Sequence, residues 1–169
     1  NSDGEIKVLN YNNGVIMKEI QGHSRDVSGI CYCCCDSENP NDANTIASCS
    51  WDRKTKSYDE EDPEFLNPLR VMDGHDADVT CIACPDTADL LITGSVDLKG
   101  NNVRLWDMTT GQREPMRVLQ HLPGHVSEIV SVTFCGQLPL CCAADAAGLV
   151  SFAYTRPSRG CMQFFFLDT

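Results

Sequence analysis

The chain has 169 residues, 42% of them hydrophobic and 22% charged, a balance that belongs to a folded domain able to bury a core rather than to a disordered segment. Its formal net charge of −11 argues against nucleic acid and anionic membrane as partners, because both are gripped by clustered Lys and Arg. No apolar run approaches the ~18 to 20 residues of a membrane span and no basic-then-apolar leader opens the chain, so the protein is expected to be soluble and unsecreted, or to lack its targeting segment.

The opening stretch, DGEIKVLN from Asp3, alternates at Ile6 and Val8 as a strand does, and NNG at 12–14 supplies hairpin turn chemistry. A Gly-His segment follows, GHSRDVSGICYC from Gly22, with a β-branched Val27 and an apolar pair two apart, Ile30 and Tyr32. After SENPND at 37–42 comes DRKTKSYD from Asp52, an aspartate at a turn and then an alternating segment ending in Tyr58 and an acid. The frame then returns. GHDADVTCIACP starts at Gly74, with Val79, Ile82 and Cys84 in the matching places, and leads to DLKGNNVRLWD from Asp97, which ends in Trp106 and an acid before TTG at 109–111. GHVSEIVSVTFC from Gly124 opens a third copy with Ile129, Val132 and Phe134, fading to AGLVSFAY from Ala147. Self-similarity at a fixed period is the signature of a repeat architecture. Because the chain begins with Asn1 partway through the frame, it is expected to be a piece of a longer polypeptide.

Gly-His, a spaced apolar strand, a Ser-rich strand with a turn Asp, then VRLWD resembles the WD-repeat β-propeller family over essentially the whole chain. The resemblance implies an all-β fold, a partial propeller of about three and a half four-stranded antiparallel blades. The segments are 1–21 (second half of a blade), 22–73 and 74–123 (blades) and 124–169 (a degenerate blade) of one incomplete propeller. Strands are predicted near 5–9 and 15–20; 27–34, 45–50, 54–58 and 69–72; 79–84, 90–95, 103–107 and 116–120; and 129–135, 138–143, 149–154 and 162–167. Polar insertions at 37–42, 60–68 and 98–101 are expected as loops. Since a propeller closes with typically four to eight blades, the remainder of the propeller is an expected partner of this segment.

The resemblance also implies a hydrogen-bonded set within each blade. In one blade it comprises His75, Thr93 or Ser95, Asp97 and Trp106; in the preceding one His23, Ser48 or Ser50, Asp52 and, at the Trp position, Tyr58. The last blade has His125 but Ala147 and Ala153 where Asp and Trp are expected, which puts its network in doubt. Partners of this family often dock on the face carrying the loop before each first strand and the residue before the turn Asp, implying Arg25, Asp26 and Trp51, then Asp78 and Val96, then Glu128 as interaction residues. Trp51 is the leading candidate because exposed Trp is enriched among interface anchors.

The eleven cysteines are odd in number and irregularly spaced, unlike a disulfide framework. In the repeat alignment CYCCC at 31–35 falls on the first strand of a blade, where burial on both faces favours a continuous apolar run and cysteine serves as a small hydrophobe. Cys31, Cys33 and Cys35 share one face and Cys34 the other. Same-face neighbours lie about 6.6 to 7 Å apart along a strand, against roughly 4 Å between sulfurs on one zinc. The two thiols of CIAC at 81–84 face opposite sides, as do Cys141 and Cys142. These residues are therefore expected to pack rather than to bind metal.

Three of the four histidines are absorbed by the repeat, and no nucleophile elbow, phosphate loop or metal-binding His pair occurs. DEEDPE from Asp59 lacks the ligand spacing and central Gly of a calcium loop. No catalytic residue, cofactor or metal is expected. The chain reads as a non-enzymatic protein-interaction scaffold in a multi-subunit assembly, cytoplasmic or cytoskeletal. IASCSWDRKTKSYDEED is further similar to the EF-hand and WD-repeat proteins of ciliary axonemes, implying a structural role in a cilium or flagellum. The alternatives are an adaptor or substrate receptor in a cytosolic or nuclear complex such as a ubiquitin ligase, and an enzyme whose catalytic domain lies elsewhere.

Overall fold

A computed structural model describes residues 3–33, 45–60, 62, 67–85, 89–97, 102–108, 118–121, 124–136, 138–155 and 164–167, with backbone only at 118–121 and 164–167. Cys34, Cys35, the insertions at 37–42 and 98–101 and the TTG at 109–111 lie outside them.

Fourteen strands are described: β1 (Glu5–Leu9), β2 (Ile16–Gln21), β3 (Val27–Cys33), β4 (Thr45–Ser50), β5 (Lys54–Asp59), β6 (Arg70–Asp73), β7 (Val79–Ala83), β8 (Leu90–Ser95), β9 (Val103–Asp107), β10 (Val118–His121), β11 (Ile129–Phe134), β12 (Leu140–Asp145), β13 (Val150–Tyr154) and β14 (Phe164–Leu167). They form one two-stranded sheet, β1–β2, and three four-stranded sheets, β3 to β6, β7 to β10 and β11 to β14, each an antiparallel meander in sequence order. This is an all-β partial propeller of three blades and a half. The second strands of the two inner blades carry small and β-branched residues because both of their faces are covered, whereas LCCAAD of β12 is buried only at alternate positions. TIASCS of β4 and LLITGS of β8 are buried along almost their whole length.

Blades stack through three apolar seams. Ile6 and Ile20 of the half blade meet Tyr58; Cys33, Ala47 and Met72 meet Leu91 and Trp106; Ile92 and Leu105 meet Ile129, Val132 and Cys141. A hydroxyl stitches each pair of successive first strands. Ser28 Oγ donates to the Val79 carbonyl at 2.5 Å, and Thr80, its counterpart one repeat later, donates to the Ile129 carbonyl. At the third copy the position is Val130, which is exposed. Gly94 lets β11 approach β8: a Cβ there would lie 2.4 Å from Ile129 Cγ2.

The turn after the second strand takes one form in the two blades where it lies among the described residues. Arg53 (φ 71°) and Gly148 (φ 92°) hold the left-handed conformation at the same point of their blades, and Gly4 (φ 75°) does so before β1. For Arg53 that conformation costs roughly 1 to 2 kcal/mol, because its Cβ crowds the backbone. Neighbouring bonds offset it, with Asp52 Oδ1 accepting the Lys54 N–H at 3.0 Å.

The expectation that β3 is buried on both faces is corrected. Cys33 is buried, but Ile30 is 55% and Tyr32 47% exposed. The side of β3 turned to β7 is covered, while the sheet on its other side has only two strands, and these pack against Val27, Ile46 and Tyr58 rather than along β3.

Candidate functional site

In each full blade the Gly-His imidazole is buried and lies between strands. His23 bridges Asp52 Oδ2 (Nδ1, 3.0 Å) and Ser48 Oγ (Nε2, 2.8 Å). Ser48 is thus the residue touching the imidazole, while Ser50 donates to the Arg25 carbonyl (3.2 Å) and accepts the Asp52 N–H (3.0 Å). Burial holds His23 below its ordinary pKa, outweighing the Asp52 carboxylate that pulls it up. Its neutral ring donates from Nδ1 to Asp52 and accepts the Ser48 hydroxyl at Nε2. Desolvation works against the Asp52 carboxylate, but N–H groups of Ser24, His23 and Lys54 more than offset it and hold its pKa down. Tyr58 is buried, and burial pushes its phenol up to about 12.

In the next blade the division of labour is the same. His75 Nε2 lies 2.7 Å from Thr93 Oγ1, which also accepts the Trp106 indole N–H at 2.9 Å, and the two rings meet edge-on with centroids 6.2 Å apart. Ser95 donates to the Asp78 carbonyl and accepts the Asp97 N–H. Asp97 is buried.

The last blade overturns the doubt about its network. His125 Nδ1 lies 3.0 Å from Asp145 Oδ2, and its Nε2 lies 2.6 Å from Ser151 Oγ. Ala147 and Ala153 do occupy the turn-Asp and Trp positions: β12 pairs Cys141 with Ala153 as β8 pairs Leu91 with Trp106. The acid has moved two residues back, to the position of Ser50 and Ser95, since Asp145 pairs Ile129 as Ser50 pairs Val27 and Ser95 pairs Val79. The hydroxyl has moved one strand outward, from the position of Ser48 to β13. Asp145 Oδ1 also accepts the Ala147 and Leu149 N–H groups, both at 3.0 Å.

These networks hold a rim of loops on which the sequence-predicted interaction residues gather. The residue before each first strand accepts a backbone bond from the residue opening the next turn: Trp51 N–H to Asp26 (3.0 Å), Val96 N–H to Asp78 (3.1 Å) and Ala146 N–H to Glu128 (2.9 Å). Ala146 escaped the sequence reading because the turn Asp that marks the other two positions is displaced. Arg25 joins two blades. Its guanidinium donates to the Trp51 carbonyl (2.8 Å) and Asp78 Oδ1 (3.0 Å) and lies 6.0 Å from the Trp51 ring centroid, within reach of a cation–π contact. Trp51 is 41% exposed, and Glu128 is exposed at the far end of the same rim.

The thiols also depart from expectation. The Sγ atoms of Cys31, Cys33 and Cys84 lie within 4.8 Å of one another. Strand spacing sets Cα positions along one strand, whereas side-chain rotation draws the Cys31 and Cys33 sulfurs together and the third thiol comes from the neighbouring blade. Hydrogen bonding from Cys31, then Cys33, draws the Cys84 thiol down against burial, and Cys84 Sγ lies 3.2 Å from the Tyr32 carbonyl. Cys142 faces Cys135, with 3.6 Å between sulfurs, and Cys141 is buried in the blade seam.

A stack of antiparallel blades, each pinned by a buried imidazole and each presenting a loop at one rim, defines a repeat propeller whose variable surface is its loops. Residues 14–59 and 66–107, together just over half of the chain, match the family described as WD domain, G-beta repeat, and the chain belongs to that family. It is 32% identical over 109 residues to the nuclear distribution protein nudF of Aspergillus flavus, covering 64% of this chain and 22% of that protein. It is 31% identical over 117 residues to the nuclear distribution protein PAC1 of Fusarium vanettenii, covering 64% and 24%, and 32% identical over 121 residues to the coatomer subunit beta'-2 of Arabidopsis thaliana, covering 70% and 11%. The chain spans no more than about a quarter of the length of these relatives.

Proposed function

We propose that this chain is the propeller segment of a non-enzymatic protein-interaction scaffold, binding its partners along the rim formed by Arg25, Asp26, Trp51, Asp78, Val96 and Glu128. The observation that carries the reading is the half-exposed Trp51 beside the Arg25 guanidinium, on a turn tied down by the His23–Asp52–Ser48 network. Interface anchors are enriched in Trp and Arg, and a preorganised one loses less entropy on binding. Five apolar or acidic positions around one paired Arg, on a chain of net charge −11, favour partner surfaces that carry basic groups around an apolar pocket. The relative named as a coatomer subunit supports membership of a multi-subunit assembly. The relatives' names lend no support to the narrower axonemal resemblance.

The test is quantitative affinity capture with the full-length protein, comparing wild type, Trp51→Ala with Arg25→Glu, and Val71→Ala, an exposed position on β6 away from the rim. The rim variant should lose at least about tenfold of a captured partner that Val71→Ala retains, the loss expected for a hot spot of about 1.4 kcal/mol or more. Equal capture by all three proteins would refute the rim. Specific recovery of axonemal subunits would restore the ciliary role, and recovery of ubiquitin-ligase subunits would favour the adaptor reading.

A further inference from the structure

Cys31 and Cys33 leave β3 on the side turned to the next blade, and Cys84, the residue after β7, faces them from that blade. Their sulfurs lie mutually within 4.8 Å in a pocket that also contains Ala47 and Leu91. From this geometry we infer a zinc site of three thiolates, Cys31, Cys33 and Cys84, that staples two adjacent blades together.

Tetrahedral zinc with Zn–S bonds of about 2.3 Å places its sulfurs roughly 4 Å apart. The thiols therefore need to close by at most about 1 Å. Cys84 lies beyond the last residue of β7, and its S–H already reaches across to β3, at the Tyr32 carbonyl between Cys31 and Cys33. Cys33 is buried, while Cys31 and Cys84 are partly exposed, so the ion has an entry path and its fourth position opens toward solvent, where water completes the coordination. Binding exchanges three S–H protons for one ion, Zn²⁺ + 3 RSH → [Zn(SR)₃]⁻ + 3 H⁺, and no electron moves. Soft thiolates select zinc or monovalent copper over harder cations. Charge decides between them. Three thiolates around Zn²⁺ retain one net negative charge and around Cu⁺ two, and the second is costlier in a partly buried seam of a chain already at −11.

The inference stands apart from the rim, because it concerns the seam between β3 and β7. The full chain, purified under reducing conditions, should bind about one Zn²⁺ that resists gel filtration and should release protons as it does so. Bound zinc should shield Cys31, Cys33 and Cys84 from iodoacetamide, read peptide by peptide by mass spectrometry, and a chelator should expose all three together. Cobalt in place of zinc should give intense sulfur-to-metal charge-transfer absorption. Cys84→Ser should drop bound zinc to background, whereas Cys142→Ser, which breaks the separate Cys135–Cys142 pair, should leave it unchanged. The alkylation pattern is read on the wild type, so a Cys84 variant that fails to fold does not rescue the proposal. Wild type binding no zinc, zinc shielding Cys142 as well as it shields Cys84, or copper binding with no zinc binding at all would each overturn it.

Discussion

Asp145→Ala should destabilise the last blade by about 3 kcal/mol, although the residue stands where the two preceding blades have a serine. Its carboxylate is solvent-inaccessible and accepts three bonds at 3.0 Å, from His125 Nδ1 and from the Ala147 and Leu149 N–H groups. Hydrogen bonds to a charged group contribute about 1.5 to 3 kcal/mol each, but these three fail together and are not additive. Ala147 is exposed and Leu149 partly so, and water can replace the acid at both N–H groups. The His125 ring is wholly buried and cannot be hydrated in the same way. Its orphaned donor costs about 1 to 3 kcal/mol by itself, and loss of the bonds that order the turn brings the sum to about 3. Because a multi-blade chain need not unfold in one step, the assay is hydrogen exchange with mass spectrometry, reading β12 and β13 separately from β4 and β8. About 3 kcal/mol corresponds to roughly a hundredfold faster exchange there. Ala147→Asp should change exchange little, since the acid it would add is already supplied two residues earlier. Exchange in β12 and β13 of Asp145→Ala within twofold of wild type would refute the relocated network.

Gly94→Ala places a methyl 2.4 Å from Ile129 Cγ2 and 2.7 Å from Cys81 Sγ, an overpacking that should cost about 1 to 3 kcal/mol in denaturant unfolding. Combining it with Ile129→Ala should cost less than the two changes summed; strict additivity would mean that β8 and β11 do not meet there. Acid should weaken the fold in two stages. His23 has its pKa lowered by burial, so its contribution is complete above its unfolded value of about 6.5 and is lost as pH falls through the lower folded value. Asp52 and Asp145, also lowered, add a second loss below about 3.8, as pH falls through their own folded values. A melting temperature that rises from pH 7 to 5.5, or a His23 ring that titrates above 6.5 by NMR, would reverse the sign assigned to burial.

The blades were legible because hydrophobic period, Gly-His and turn chemistry all repeat, and β4, β8 and β9 begin and end where alternation and turns put them. The last blade's network was not. Spacing looks for an acid at 147, yet residues two apart at a strand end share a face, so Asp145 reaches the same imidazole from a position that alignment assigns to serine. The thiol cluster was hidden for a different reason. Strand geometry alone separates Cys31 from Cys33 and opposes Cys81 to Cys84, and both statements concern one strand at a time. The signal lay between repeats. Cys84 occupies the place of Tyr32, and alternation therefore turns it opposite to the Cys31 and Cys33 positions, which is toward the blade that carries them.

The three blades solve one problem in two ways, and the difference says where function is written. Trp51, Val96 and Ala146 make the same backbone bond to the residue before the first strand, at 3.0, 3.1 and 2.9 Å, although their side chains have nothing in common. Their networks differ as well, with a turn aspartate at 52 in one blade and an acid at 145 in another. What is held constant is therefore the path of the rim backbone, to within about a tenth of an ångström in that bond, while the side chain it presents is free to vary from indole to methyl. On the proposed function, partner choice lies in the presented side chains and stability in the imidazole networks beneath them. Substitutions at Trp51 and Arg25 should then change binding with little effect on folding, and substitutions at His23, Thr93 or Asp145 should do the reverse.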